Sequence, residues 1–323
     1  MKAIVQDSYG PLSVLRLDEV DRPAPGRGQV LIQVRAAGVD QGVWHLTTGK
    51  PYLVRALGFG LRAPKVRTRG IDLAGVVVEV GPEVTGFRAG DEVYGTCDGS
   101  YAEYACAEVD RIAPKPAGLS FEQAAAVPVS ACTALQALRD SGRLTAGQRV
   151  LVTGAGGGVG SFAVQLAKAL GAHVTGVCST GKVELVRSLG ADEVIDRTGA
   201  DPLDGSSRYD LIVDSAGNRS ISRMRRALTK GGTLAIVGGE GSGNWTGGFG
   251  RQLRAPLLSP FVGHRLRAVA AVPRAADLRV LAEYLEAGSV TPAVDRSYPL
   301  AEVVAAIEHL RTGQVRGKLV IRI

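Results

Sequence analysis

The sequence lacks any apolar run long enough to span a bilayer, and its cysteines are few and scattered. Cys97, Cys106, Cys132 and Cys178 form no C-x-x-C pair, so neither a disulfide framework nor a zinc knuckle is predicted. The first residues, MKAIVQDSYG, turn polar too early for a signal peptide. Together these absences predict a cytoplasmic protein with no stable membrane insertion.

Internal repeats and low-complexity tracts are also missing. The 323 residues are 45% hydrophobic and 21% charged, which is typical of a globular protein with room for two domains. The net charge of +7 would help to attract anionic ligands. Because the excess is spread along the chain, binding of nucleic acid is not expected.

One segment, 52–69, combines basic residues with leucine and phenylalanine. Its cations are Arg55, Arg62, Lys65, Arg67 and Arg69. A solvated loop, contact with a membrane surface and a lid over a substrate are all compatible with this pattern.

The first third of the chain consists of short β-type segments separated by turn residues. The predicted strands are 3–5, 14–17, 30–39, 74–80, 92–94 and 101–105, and PAPG at 23–26 is one of the turns between them. This pattern predicts a compact β-barrel or a partly open sheet.

The stretch 149–182 organises the rest of the chain. An apolar run at 150–153 leads through a glycine-rich turn into a helix-period run that ends at Gly171, and a second apolar run follows at 173–177. The stretch therefore predicts a strand, a helix and a second strand, joined by a right-handed crossover.

The glycines of this turn suit a dinucleotide. Gly154 and Gly157 would let the backbone approach a pyrophosphate, and Gly160 would let the helix pack closely on the strand. The spacing G-x-x-G-x-x-G departs from the usual G-x-G-x-x-G, and a flexible loop is the alternative. The flanking strands and helix favour cofactor binding.

The end of the second strand indicates which cofactor is bound. NAD-binding proteins usually place an acid there for the ribose 2′-hydroxyl, but the sequence reads Ser179-Thr180-Gly181-Lys182. Hydroxyls and a lysine suit a 2′-phosphate, so NADP(H) is predicted. In the alternative interpretation, Lys182 is a solvated residue at a helix start.

Alternating strands and helices continue downstream. Further strands are predicted at 193–196, 210–214, 233–237 and 267–272, with helices at 220–228, 275–287 and 300–311. This order predicts an α/β fold with a doubly wound parallel sheet. The long connection 238–264 is a pocket cover, a subunit contact or a surface excursion, and a last strand at 317–321 could return to the N-terminal domain.

Five further motifs carry a family resemblance: GVVVEVG at 75–81, GDEV at 90–93, GSYAEY at 99–104, GADEVID at 190–196 and GK at 317–318. With the glycine turn, they resemble the medium-chain dehydrogenase/reductase superfamily over essentially the whole chain, and specifically its zinc-less quinone oxidoreductase branch. The resemblance implies a GroES-like β-barrel domain at 1–122, completed by 273–323. It also implies a Rossmann NADP-binding domain at 123–272 and a homodimer.

The sequence departs from the zinc-dependent relatives at their metal ligands. Asp40 and Gly70-Ile71-Asp72 stand at the matching positions, and the isoleucine cannot bind a metal. No metal site is therefore predicted, and Trp44 and His45 are expected to pack or to line the pocket.

Without a metal, the least demanding reaction is hydride transfer from NADPH to a quinone or an α,β-unsaturated carbonyl. By resemblance, Tyr52 is a candidate proton donor, with an amphipathic loop residue as the alternative, and Asp40 is a second candidate catalytic residue. Two other functions stay open: reduction of an enoyl-thioester, and NADPH binding without catalysis.

The resemblance also assigns cofactor-binding residues. These are Thr133 near the nicotinamide; Gly156, Gly157, Gly158 and Val159 at the pyrophosphate; Ser179, Lys182 and Arg197 at the 2′-phosphate; and Asn218, Gly238, Gly239 and Lys318 elsewhere. Arg197 stands where many relatives have a tyrosine, and Lys318 could instead close the barrel.

Overall fold

The structure is a computed structural model that describes residues 1–239 and 245–323. Its strands are β1 (Lys2–Val5), β2 (Arg16–Glu19), β3 (Gln29–Val39), β4 (Asp72–Val80), β5 (Glu92–Thr96), β6 (Tyr104–Glu108), β7 (Ile112–Pro114), β8 (Arg149–Thr153), β9 (His173–Cys178), β10 (Glu193–Asp196), β11 (Tyr209–Asp214), β12 (Leu228–Ile236), β13 (Arg265–Ala268), β14 (Val294–Pro299) and β15 (Lys318–Arg322).

The α-helices are α1 (Gln41–Thr48), α2 (Tyr52–Val54), α3 (Phe121–Ala125), α4 (Pro128–Gln136), α5 (Gly158–Ala169), α6 (Val183–Ser188), α7 (Ile221–Arg226), α8 (Phe249–Leu258), α9 (Ala275–Glu286) and α10 (Val303–Arg311). Short 3-10 or π turns lie at Leu12–Val14, Arg55–Phe59, Val109–Arg111, Ala137–Ser141, Thr180–Lys182, Ser259–Phe261 and Leu300–Glu302. No helix in the described part of the chain is both long and apolar enough to cross a membrane.

The chain divides into two compact units. The first unit contains residues 1–132, 273–287 and 292–323, and the second contains residues 133–272 and 288–291. The boundary between them lies at 132/133 instead of the predicted 122/123, and residues 288–291 belong to the second unit.

A six-stranded parallel sheet forms the second unit, in the order β10-β9-β8-β11-β12-β13. The chain moves outward from β8 to β10 and then returns to place β11 on the other side of β8. The predicted doubly wound sheet is therefore confirmed, and its strand order reverses between β8 and β11. Ligands of such sheets bind beyond the carboxyl ends of the strands at this reversal.

Apolar residues from four strands build the core of this unit. Leu151, Ile212, Leu234 and Leu266 are buried in one cluster with Ala255 of α8. Burial of this face stabilises the sheet, since each such side chain contributes about 1.5–3 kcal/mol when removed from water.

The stretch predicted as a long connection, 238–264, contains helix α8 and the turn Ser259–Phe261. Ala255 is fully buried under the sheet, whereas Leu257 and Phe261 are 73% and 85% exposed. The stretch begins with several glycines and contains Pro256, and both residue types disfavour a helix. The sequence therefore does not predict one here. Residues 240–244 of the predicted connection lie outside the described residues.

The first unit is built on a seven-stranded sheet in the order β14-β15-β3-β4-β5-β7, with β6 also paired to β3. The C-terminal strand β15 runs antiparallel to β3, with Leu319 opposite Val39, which confirms the predicted return of the chain end. Val30, Ile32 and Leu73 are fully buried in the core of this sheet.

Two N-terminal strands differ in position from the prediction. The strand predicted at 14–17 is β2, Arg16–Glu19, because Leu12–Val14 form a 3-10 turn. The strand predicted at 101–105 is β6, Tyr104–Glu108, and Ala102 makes only an isolated bridge to Ala3.

Candidate functional site

The glycine turn lies between β8 and α5, at the carboxyl end of the central strand. Gly154 has a φ of +68°, which favours glycine. A Cβ atom on Gly160 would lie 2.1 Å from the carbonyl oxygen of Gly154, so the close approach of helix and strand requires glycine there as well. Helix α5 begins at Gly158, and its N-cap, Gly157, provides no side-chain cap. The turn therefore presents bare backbone at a helix N-terminus, an arrangement that binds phosphate groups.

Lys182 lies directly beside this turn. A Cβ atom on Gly156 would be only 2.8 Å from both Cβ and Cδ of Lys182, so the aliphatic part of the lysine crosses the glycine. The backbone N–H of Lys182 donates to the carbonyl oxygen of Ser179 at 2.9 Å and closes the turn after β9. The lysine and the serine are both half-buried.

The register between β9 and β10 places Arg197 next to these residues. Asp196 pairs with Cys178 in the parallel ladder, and the backbone N–H of Arg197 donates to the carbonyl oxygen of Cys178 at 2.9 Å. The structure thus brings the predicted 2′-phosphate residues Ser179, Lys182 and Arg197 to one edge of the sheet.

One carboxylate accompanies these cations. Asp196 is half-buried, and the pKa of its carboxyl is lowered, first by a hydrogen bond from the Thr180 hydroxyl and then by bonds from Thr198. The backbone N–H of Thr198 donates to Asp196 Oδ1 at 2.9 Å. Nearby, burial raises the pKa of the Cys178 thiol, so the thiol stays protonated at neutral pH.

A buried aspartate lies at the end of β11, where the strand order of the sheet reverses. Asp214 is fully buried. Its Oδ1 accepts from the Thr153 hydroxyl at 2.7 Å and from the Gly217 N–H at 3.1 Å. Its Oδ2 lies 2.7 Å from Nη2 of Arg251 on α8. These contacts fix the ends of β8 and β11 relative to each other.

The predicted residues after β11 and β12 lie at this same point. Asn218 is exposed after β11. The N–H of Gly238 donates to the backbone oxygen of Asp214 at 3.0 Å. A Cβ atom on Gly238 would lie 2.2 Å from the carbonyl oxygen of Ser215, and one on Gly239 would strike the backbone of Gly248. Both glycines are therefore sites of close backbone approach.

Sequence reasoning missed both Asp214 and Arg251. The sequence offers one signal for Asp214, since it is an acidic residue at the end of an apolar strand. Arg251 had no signal, because its helix was interpreted as part of a connection. Nε and Nη1 of Arg251 are buried without a hydrogen-bond partner among the described residues.

Thr133, predicted near the nicotinamide, lies on α4 and is 8% exposed. It belongs to the second unit. Its neighbour in sequence, Cys132, is fully buried. The structure therefore places the Thr133 hydroxyl on a helix and leaves its predicted role open.

The first unit contains a buried ionic cluster. The Asp72 carboxylate is fully buried; its Oδ1 accepts from the Val129 N–H at 2.9 Å, and its Oδ2 lies 3.3 Å from Nζ of Lys318. Burial raises the pKa of Asp72 to about 7, the charge of Asp40 adds to the rise, and Lys318 opposes it. Lys318 is 2% exposed. Its predicted contact with the cofactor stays a prediction, since its partner in the structure is Asp72.

Asp40 caps the N-terminus of α1. Its Oδ1 accepts from the Gly42 N–H at 2.7 Å. Its Oδ2 is buried and has no hydrogen-bond partner within residues 1–239 and 245–323. Close by, the Tyr101 hydroxyl donates to the Gly38 oxygen at 3.1 Å, and burial, with Asp40 and Asp72, raises the pKa of Tyr101 well above its usual range.

The positions that match zinc ligands do not form a ligand set. Ile71 offers no donor atom, and both oxygens of Asp72 already have partners. Across the described ranges, no three His, Cys, Asp or Glu side chains converge as they would around a metal ion. A zinc ion therefore does not fit these residues.

Tyr52 is held by a stacked arginine. The guanidinium carbon of Arg55 lies 4.9 Å from the centre of the Tyr52 ring and 4.5 Å from that of Tyr9. Nε of Arg55 donates to the Gly49 oxygen at 2.9 Å. Arg55 therefore contacts two aromatic rings, and each such contact contributes about 0.5–2 kcal/mol.

The neighbouring aromatic and imidazole residues pack as expected. Trp44 and His45 form an edge-on ring pair with centroids 5.2 Å apart. Nδ1 of His45 lies 2.7 Å from the Lys50 oxygen, and the Arg311 guanidinium stacks on Trp44 at 4.7 Å.

Comparison with known proteins matches both parts of the chain. Residues 26–117 match the family model of the alcohol dehydrogenase GroES-like domain, and residues 189–321 match that of the zinc-binding dehydrogenases. The predicted fold class, a Rossmann sheet with a GroES-like domain, is therefore confirmed.

Individual relatives match over nearly the whole chain. The chain is 34% identical to the 2-methylene-furan-3-one reductase of Solanum lycopersicum, covering 99% of this chain and 79% of that protein. It is 33% identical to the NADPH-dependent alkenal/one oxidoreductase of Arabidopsis thaliana chloroplasts, with the same coverage of each protein. The solved structure of the quinone oxidoreductase from Coxiella burnetii superimposes with a TM-score of 0.88 at 30% identity, covering 100% of this chain and 99% of that one.

Proposed function

The chain belongs to the medium-chain dehydrogenase/reductase superfamily, in its quinone oxidoreductase-like branch, and we propose that it transfers a hydride from NADPH to a quinone or an α,β-unsaturated carbonyl. It is an NADPH-dependent oxidoreductase that acts on a small-molecule acceptor. The relatives named above for furanone, alkenal and quinone substrates support this range of acceptors. Lys182 lying across Gly156 is the observation that carries the proposal.

The proposed cofactor residues come from the family resemblance, and the geometry of the second unit supports those that lie in it. Gly156, Gly157, Gly158 and Val159 would face the pyrophosphate at the N-terminus of α5. Ser179, Lys182 and Arg197 would take the 2′-phosphate, whose charge matches the two cations. Thr133, Asn218, Gly238, Gly239 and Lys318 complete the set proposed from the resemblance. When bound, NADPH supplies the hydride.

A 2′-phosphate favours this edge of the sheet for a simple electrostatic reason. Lys182 and Arg197 bring two positive charges, and the carboxylate that would hold a ribose 2′-hydroxyl after β9 is replaced by Ser179. NADH would leave the lysine without its anionic partner. Asp196 lies on the neighbouring strand β10, and its carboxylate already accepts a hydrogen bond from the backbone N–H of Thr198.

Proton transfer to the reduced acceptor is assigned to Tyr52 or Asp40. The Arg55 guanidinium lies 4.9 Å from the centre of the Tyr52 ring and contributes to holding that ring in place. Asp40 is the second candidate, since its Oδ2 is buried without a hydrogen-bond partner in the described part of the chain. Either group would complete the reduction by giving one proton where hydride addition has created negative charge.

We further propose that the reaction needs no metal. Quinones and enones are already electron-poor, so hydride transfer to them does not require a Lewis acid. Ile71 and the paired Asp72 support this view, because they cannot complete a zinc-ligand set.

A homodimer formed through the outer edge of the second unit is proposed as well. Strand β13 is the last strand of the six-stranded sheet, and Leu257 and Phe261 beside it are strongly exposed. A cytoplasmic location is supported by Cys97, Cys106, Cys132 and Cys178, all free thiols. Light scattering of the purified protein would test the dimer.

The test of the reaction is acceptor-dependent oxidation of NADPH. A benzoquinone, an α,β-unsaturated aldehyde and an enoyl-thioester would be compared at equal concentration. Turnover of the quinone or the aldehyde is expected. Turnover of the thioester alone would assign the protein to enoyl-thioester reduction, and no turnover with any acceptor would contradict the proposal.

A further inference from the structure

An apolar tip projects from the first unit within the segment 52–69. Leu57, Phe59 and Leu61 are 63%, 45% and 72% exposed. Three large apolar side chains exposed within five residues are unusual, because soluble proteins keep such patches small unless they bind something.

The tip is an ordered turn. The Tyr9 hydroxyl donates to the backbone oxygens of Phe59 and Gly60 at 2.9 and 2.8 Å. The N–H of Lys65 donates to the Phe59 oxygen at 3.0 Å and closes the turn. Gly58 and Gly60 have φ values of +109° and +112°, which bend the chain where other residues would be strained. The apolar side chains are therefore held outward by the fold.

Positive charge surrounds the tip. Residues 41–71 contain no Asp or Glu, and their cations are Lys50, Arg55, Arg62, Lys65, Arg67 and Arg69. Arg62 and Lys65 are exposed beside Leu61. Arg67 is also exposed but pairs with Asp7 at 2.7 Å, whereas Arg69 is buried. Two exposed cations and three exposed apolar side chains thus share one projection.

We propose that this tip docks reversibly on the surface of an anionic phospholipid bilayer. Leu57, Phe59 and Leu61 would enter the boundary between headgroups and acyl chains, while Arg62 and Lys65 would lie at the level of the lipid phosphates. Apolar insertion and cation–phosphate attraction are the two contributions that hold peripheral proteins on membranes.

Charge favours a bilayer over a second copy of the chain. A two-fold contact would place the same cationic patch on both sides and bring Arg62 and Lys65 against their own counterparts. An anionic lipid surface instead neutralises them. The proposal goes beyond the reductase function and does not depend on it, since docking is measured without cofactor or acceptor.

The experiment is co-sedimentation of the intact chain with vesicles. Vesicles of phosphatidylcholine alone are compared with vesicles that also contain phosphatidylglycerol, at low and high salt. We expect the anionic vesicles to bind at least about tenfold more tightly at low salt, with the difference reduced at high salt.

Two double variants test the two contributions. Arg62→Glu with Lys65→Glu should lower binding to anionic vesicles by about thirtyfold or more, since each cation near the surface contributes about fivefold. Leu57→Ser with Leu61→Ser should lower binding by about tenfold or more through lost insertion. All four side chains are exposed, so the fold is expected to tolerate these changes.

Matched controls change the same chemistry elsewhere on the first unit. Arg27→Glu with Arg88→Glu makes the same change in net charge at side chains that are 78% and 88% exposed. Leu17→Ser with Val80→Ser removes exposed apolar groups at 42% and 41% exposure. Both controls should bind anionic vesicles to within about twofold of the unmodified chain, since neither touches the tip.

Three results would overturn the proposal. Equal binding to neutral and anionic vesicles would remove the role of charge. Equal losses in the test and control variants would show that net charge or general hydrophobicity is responsible. Unchanged vesicle binding in the leucine variant, with a changed oligomeric state or a changed KM for acceptor, would assign the tip to self-contact or to a lid.

Discussion

The ammonium of Lys318 lies 3.3 Å from the carboxylate of Asp72, and their side chains are 2% and 0% exposed. This contact joins the first residue of β15 to the first residue of β4, while the Val129 N–H of α4 holds the other carboxylate oxygen. Three separate parts of the first unit therefore meet at one buried carboxylate.

Removing the lysine alone should be costly. Lys318→Met would leave Asp72 buried without its cation, and we expect a loss of about 3–5 kcal/mol in the free energy of unfolding at pH above 7. Adding Asp72→Asn should recover most of this loss, because the asparagine can still accept from Val129 and no buried charge remains. Urea denaturation of the two variants measures the difference. Equal stability of the single and double variants would show that the pair is not coupled.

Stability should also depend on pH through Asp72. Its folded pKa is raised from the ordinary 3.8 to about 7, so between these values the folded state binds more protons than the unfolded state. Its contribution to the free energy of unfolding is therefore fully present below pH 3.8 and is lost as the pH rises toward about 7. Asp40, Lys318, Tyr101 and the thiol of Cys97 are titratable groups that interact with it.

The variant Asp72→Asn isolates this dependence. Across the same pH window, the slope of the unfolding free energy against pH should be less negative for the variant than for the unmodified chain, whatever their absolute stabilities. Parallel slopes would mean that Asp72 keeps its ordinary pKa.

A methyl group on Gly156 should displace Lys182 from its place beside the glycine turn. In Gly156→Ala the new Cβ would lie 2.8 Å from both Cβ and Cδ of Lys182. Because the Cβ of Lys182 is fixed to its backbone, the turn Thr180–Lys182 has to shift. We expect a loss of preference for NADPH over NADH of about tenfold, as one charge-assisted contact weakens. Gly181→Ala is the control, since nothing lies within 4 Å of its added Cβ. Titration of both cofactors into each variant measures the effect, and a matching loss in the control would argue against it.

Replacing the proposed proton donor should slow the reaction. Tyr52→Phe keeps the ring that stacks on Arg55 but removes the hydroxyl, and we expect turnover of an enone to fall about 10²–10⁴-fold with little change in NADPH affinity. Tyr9→Phe removes the hydroxyl of the other ring that contacts the same arginine and should have a much smaller effect on turnover. Unchanged turnover in Tyr52→Phe would mean that Asp40 or water donates the proton. Turnover in Asp40→Asn would then distinguish these two donors.

Local signals made the second unit predictable. The strand before Gly154, the helix after it and the absence of an acid after β9 all lie within one short stretch, so their chemistry could be inferred from neighbours in sequence. The structure then brought Ser179 and Lys182 to the glycine turn. Arg197 lies at the same end of the sheet, because it follows β10, which pairs directly with β9.

Long-range contacts were not predictable in this way. Lys318 and Asp72 are 246 residues apart, so the sequence leaves the lysine open between a cofactor contact and closure of the barrel, and it places the aspartate in an incomplete metal motif. Arg251 and Asp214 are 37 residues apart, and the arginine lies on a helix that glycine and Pro256 concealed. Nothing in their spacing indicates these pairs, since the pairing is created by the fold.

The most direct test of the account compares the affinities of NADPH and NADH for the intact chain and for Lys182→Ala. We predict that NADPH binds about 10–100-fold more tightly than NADH, and that the variant loses most of this difference while keeping its affinity for NADH. Lys230→Ala, an exposed lysine on β12, should behave like the unmodified chain, and Lys182→Arg should keep the preference. Equal affinities of the two cofactors for the unmodified chain would contradict the account.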